Sequence, residues 1–125
     1  MASYGEYVSL PGLKASATLA AKQYYAVKLA STAGEVAVCS SGTDVVIGLV
    51  QNDPAAGEAA DVAALGVALG YASTAITRGT ALATNTTGQL ETTSTDNYQV
   101  IGIALEAATA AGDIIRVLLN GAARY

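Results

Sequence analysis

The chain has no histidine, no phenylalanine and no tryptophan, and only one cysteine and two prolines among its 125 residues. Without histidine there is no Ser-His-Asp triad, and the commonest general base and metal ligand is gone. A lone Cys39 forms no internal disulfide and supports no zinc site. It follows Val36 and Val38 in a β-like run and reads as a small buried apolar side chain. With Phe and Trp missing, the core must be Val, Ile, Leu and Ala with some of the seven Tyr. Charged residues make up 13% of the chain, against roughly 25% in average soluble domains. The net charge is −4. Lys14, Lys22, Lys28, Arg78, Arg116 and Arg124 are scattered, so the clustered positive footprint of a nucleic-acid binder is missing. No apolar run approaches the ~18 residues of a membrane helix. Met1-Ala2-Ser3-Tyr4-Gly5-Glu6 has neither the basic nor the apolar region of a secretory signal. The expectation is a soluble protein made in a reducing compartment, with no nucleic-acid or membrane partner. There is no GxGxxG and no GxxxxGK[ST] phosphate cradle. Glu58, Asp61, Glu106 and Asp113 lie in or beside loops and read as turn formers. Neither an enzyme nor a bound cofactor or metal is expected.

What the chain does have is period-two apolar alternation. From Tyr98 to Gly121, Ile101, Ile103 and Leu105 alternate, then Ile115, Val117 and Leu119, on either side of a small-residue connection ending in Gly112-Asp113. This reads as two strands joined by a short loop. An earlier copy exists. Val46-Ile47-Gly48-Leu49 matches Val100-Ile101-Gly102-Ile103, and Gly34-Glu35-Val36 matches Gly88-Gln89-Leu90, both at an offset of 54. Ala56-Gly57-Glu58 matches Ala111-Gly112-Asp113 one residue further on. Gly48 and Gly102 fall mid-strand in both copies, where glycine marks a bulge or a close backbone approach. Tyr25, Val27 and Leu29 alternate in a strand after a turn at Ala20-Ala21-Lys22. Two copies are too few for a solenoid. The predicted fold is all-β: a small barrel or tulip-like sandwich of two related halves, residues 15–70 and 71–121, within one domain spanning 14–125.

Residues 1–13 differ from the body and read as an extended N-terminal arm, set off by Pro11-Gly12. Tyr4, Tyr7, Val8 and Leu10 are large apolar anchors with no partner strand nearby in sequence. They are the candidate contact residues, expected to order against another protein rather than against their own chain. So little charge on a small domain also implies that part of its apolar surface is covered by other chains.

The runs Val46-Ile47-Gly48-Leu49-Val50-Gln51-Asn52-Asp53-Pro54-Ala55-Ala56-Gly57-Glu58 and Val100-Ile101-Gly102-Ile103-Ala104-Leu105-Glu106, continued by Gly112 to Leu119, resemble the capsid decoration, or cement, proteins of tailed bacteriophages. The resemblance covers roughly residues 14 to 120. It implies a β-rich virion protein, made in the host cytoplasm and bound through the major capsid protein to the outer surface of an icosahedral head. It further implies a homo-oligomer, most often a trimer. A tail or fibre component is the alternative within the virion. Lipoyl and biotinyl carrier domains share the size and the duplicated β halves, but need a displayed lysine in a hairpin turn. No lysine follows residue 28 here.

Overall fold

The computed structural model of the chain describes residues 6–93 and 98–124, the last five by backbone alone. Its elements are ten strands: β1 (Tyr7–Leu10), β2 (Lys14–Ala15), β3 (Ala26–Leu29), β4 (Glu35–Val38), β5 (Val46–Val50), β6 (Val62–Tyr71), β7 (Ala81–Thr84), β8 (Leu90–Thr92), β9 (Gln99–Ala104) and β10 (Ile114–Arg124). No helix occurs among the described residues. The strands form one sheet in the order β2-β4-β3-β5-β6-β10-β9-β7-β8, with β1 attached to β6. The fold is all-β, as the alternating runs predict. Helix propensity in the Ala-rich stretches is a weak preference. It yields where apolar residues fill the faces of a sheet.

Strand pairing in the first half recurs at corresponding positions in the second. In the first, β5 pairs β6 through Leu49↔Ala63 and Val50↔Val62. In the second, β9 pairs β10 through Ile103↔Leu118 and Ala104↔Val117, at the corresponding positions. Ala26↔Leu49 and Val27↔Gly48 recur as Ala81↔Ile103 and Leu82↔Gly102. Leu29↔Val36 recurs as Thr84↔Leu90. The halves join where β6 and β10 run antiparallel, from Ile114↔Tyr71 to Leu119↔Gly66.

The mid-strand glycines have the same cause in both copies. A Cβ on Gly48 would collide with the Ala63 carbonyl, and one on Gly102 with the Leu118 carbonyl. The neighbouring backbone comes too close for any side chain. A second paired position departs from this rule. Gly79 (φ 89°) donates its N–H to Ala104 O, and Tyr24 (φ 74°) donates to Val50 O at the equivalent place. One copy thus carries a tyrosine in the left-handed region where the other carries glycine.

Ala15, Leu19, Val27, Val36, Val50, Ala60 and Val62 form a small buried cluster in the first half. Their counterparts Ala72, Ile76, Leu82, Leu90, Ala104, Ile115 and Val117 are buried too, and merge with Ala26, Cys39, Leu49 and Ala63 of the first half in a larger cluster. The sheet therefore curls until the halves meet. Gln99 joins them: Val46 N donates to Oε1 and Nε2 donates to Val46 O, each at 2.8 Å. This buried amide extends strand pairing from β9 to β5. Gly88 O accepts the Ala26 N–H at 2.7 Å.

The arm does not follow expectation. Tyr7–Leu10 finds its partner within the chain, pairing antiparallel with β6 from Tyr7↔Gly66 to Leu10↔Val62. Where β10 diverges from β6 beyond Leu119↔Gly66, β1 takes over that edge. The partner lies more than fifty residues away in sequence, so local reading could not supply it.

Candidate interaction surface

The register of β1 shifts between Val8 and Ser9. The extra residue is Ala64 on β6; in β1 the end residues Tyr7 and Leu10 are half-buried while Val8 and Ser9 are exposed. Tyr7 packs on the larger cluster. Its hydroxyl donates to Asp61 Oδ2 at 2.7 Å. Burial and then the adjoining Asp61 carboxylate push the phenol up to about 12. Leu10 packs on the smaller cluster, as does Leu13. Val8 is 60% exposed and sits opposite Leu65, itself 48% exposed. With Glu6, Tyr7 and Gly66 they line an open, shallow groove. Of the four arm residues singled out from sequence, Tyr7 and Leu10 anchor the strand, Val8 displays an apolar side chain, and Tyr4 lies outside the described residues.

A second apolar pair was not apparent from sequence. Leu29 and Val45 are each 62% exposed, and with Lys28 and Ile47 they border another shallow depression. Leu29 lies beyond the last β3–β5 pair, Lys28↔Val46, and its exposure ends the alternation seen from Tyr25. The equivalent positions in the second half are Thr84 and Gln99, both polar and both buried. Beside this patch, Lys28 Nζ lies 3.0 Å from Asp44 Oδ2. The same oxygen accepts the Ser40 and Ser41 amides. Burial pushes the Asp44 carboxyl up, but the Ser40 amide and Lys28 outweigh it and hold the group below its ordinary value.

The loop carboxylates have structural partners. Glu58 accepts the Ala55 amide at 2.8 Å. Its counterpart Asp113 accepts the Thr109 amide and hydroxyl, at 2.8 and 2.9 Å, and is held below the usual carboxylate range chiefly by the former. Glu106 accepts the Arg116 amide at 2.8 Å, with the Arg116 guanidinium 3.6 Å away. Asp61 is taken by Tyr7. Burial drives the Cys39 thiol up to about 12, so it stays protonated and unreactive. A cleft of about 200 Å³ between the halves is walled by Val46, Ile101 and Leu119. Its buried polar group, Gln99, is engaged at both ends of its amide by the Val46 backbone. The arrangement suits contact with other proteins through apolar pairs on a charge-poor surface.

A family model described as phage cement protein matches residues 12–119. The matched span runs from Gly12 to Leu119 and leaves β1 outside it. No curated protein matches the chain.

Proposed function

The chain belongs to the phage cement protein family, a family of structural phage proteins, and we propose that it decorates the outside of an icosahedral head by binding the major capsid protein. The family match over residues 12–119 carries this reading. The exposed pairs Val8–Leu65 and Leu29–Val45 support it, because they stand on a chain with too little charge to offset them. A decoration repeated over a lattice needs only modest contacts at each site, since multivalent placement multiplies them. In this proposal Val8 meets the shell, with Tyr4 ahead of it in the chain. Tyr7 and Leu10 fix the strand that carries them. A cyclic trimer at the shell would cover the remaining patch through a closed, repeated interface. The role is structural, without catalysis, and its setting is the outer surface of the virion.

The test is sedimentation of the protein with undecorated heads, followed by cryo-electron microscopy of the decorated particle. Val8→Asp combined with Leu65→Asp places two charges in one apolar patch. Attachment should weaken by about tenfold or more, equivalent to losing ~1.4 kcal/mol, with the thermal midpoint little changed. Unaltered attachment would remove this patch from the proposal. Density for the chain in the tail would favour the tail or fibre reading.

A further inference from the structure

We propose that β1 is an exchangeable strand: where copies are crowded, the slot along β6 of one copy receives β1 of a neighbour. The crowding rests on the decoration reading; the strand geometry does not.

The slot is shaped for this strand. A Cβ on Gly66 would lie 2.9 Å from Tyr7 Cα and collide with the Glu6 carbonyl, so the close approach of the incoming backbone requires glycine. Val67 N donates to Glu6 O at 2.8 Å, and Asp61 receives the Tyr7 hydroxyl. Leu10 then enters the smaller cluster. Any copy of the chain supplies the same four features, so a second copy is the occupant these contacts specify.

The strand is also separable. It lies off the continuous path of the sheet. Without it, Val62 and Ala63 still pair with β5, and Gly66 still pairs with Leu119. The family pattern begins at Gly12, so the shared body is defined without β1. On the other side of Pro11-Gly12 the chain is fixed again: Ala60 N donates to Leu13 O at 3.0 Å, and Lys14 bridges Ala59. Pro11 and Gly12 are exposed, and Gly12 (φ 76°) has no atom within 4 Å of where a Cβ would sit. A short hinge of this kind invites strand exchange. Exchange replaces each contact with an identical one, so local concentration sets the balance between closed and linked forms. A linked coat would tie each copy to its neighbour as well as to the shell.

The experiment uses full-length protein in a Cys39→Ala background. Val8→Cys and Leu65→Cys are made in separate, differently tagged pools, which are mixed, concentrated and oxidised without heads. Val8 and Leu65 are register partners, so a mixed-tag disulfide reports docking of one copy's strand on another. A pool carrying Leu29→Cys, more exposed than Leu65 but remote from the slot, replaces the Leu65→Cys pool as the collision control. The double variant Val8→Cys/Leu65→Cys, oxidised dilute, confirms that the pair closes within one copy. The expected result is a mixed-tag band for Val8→Cys with Leu65→Cys that is absent with Leu29→Cys. Equal bands in the two mixtures, or none in either while the double variant closes internally, would overturn the proposal. Because no heads are present, failure of the decoration reading leaves this result unaffected.

Discussion

At the scale of single residues, shifted groups shape the response to pH at both ends, Tyr7 and Cys39 in base and Asp44 and Asp113 in acid. Tyr7 keeps its proton up to about 12 in the folded chain, against 10.0 when free. Its contribution is complete below pH 10 and is lost as pH rises toward 12, because the unfolded chain ionises first. After allowance for solvent screening of a partly exposed group, the effect should be on the order of 1 kcal/mol. Tyr7→Phe should flatten the decline of urea stability between pH 10 and 12 relative to wild type. A parallel decline in both proteins would show that Tyr7 is not its source. Asp44 works in the other direction. Its folded carboxyl titrates below the ordinary 3.8, so its contribution is present above that value and disappears as pH falls through the folded one. Gln99 is a buried polar residue that bonds one half to the other. Gln99→Leu leaves the Val46 N–H and C=O buried without partners and should cost about 2 kcal/mol or more, read as a lower thermal midpoint. Gly102→Ala drives a methyl into the Leu118 carbonyl, a backbone atom held in the sheet, and should cost ~2 kcal/mol or more in the same measurement.

At the scale of elements, β1 and β6 decide what the surface offers. Deleting residues 1–10 removes Tyr7 and Leu10 from the two clusters and opens one edge of β6. The body should remain folded with a lower thermal midpoint, and the truncated protein should sediment with heads less well than the full chain. Undiminished attachment would take the arm out of the proposed contact; outright unfolding would make β1 part of the minimal fold. The other strands were legible to different degrees. β5, β9 and β10 were plain from alternation, and β3 was plain as far as Val27. β2 was not, being two residues long and paired in parallel with β4, a partner that no local period reveals. Residue type marks a break in the chain at Pro11-Gly12, but not the seat of β1 on β6, because strand partners distant in sequence leave no local trace. The exposed pairs were unreadable for a related reason. Alternation assigns residues to faces without saying which face is covered, and Leu10 is half-buried and Leu29 exposed against the period.

At the scale of the whole molecule, the duplication governs more than the native shape. Because β3-β5-β6 and β7-β9-β10 share one register, an unfolded chain meets two near-equivalent partners for each strand. β5 can dock on β10 with Gly48 facing the Leu118 carbonyl, just as Gly102 does in the native pairing. Few contacts distinguish the two outcomes during collapse: the Gln99 amide on Val46, Gly88 against Ala26, and Tyr24 where the other copy has Gly79. Such near-degeneracy is a kinetic trap in the folding landscape. Refolding from denaturant should therefore show a minor slow phase that persists when a prolyl isomerase is added, which separates it from isomerisation at Pro11 or Pro54. Gln99→Leu, which removes one of the distinguishing contacts, should enlarge that phase. Single-exponential refolding of both proteins would mean that the copies know each other apart before their strands pair.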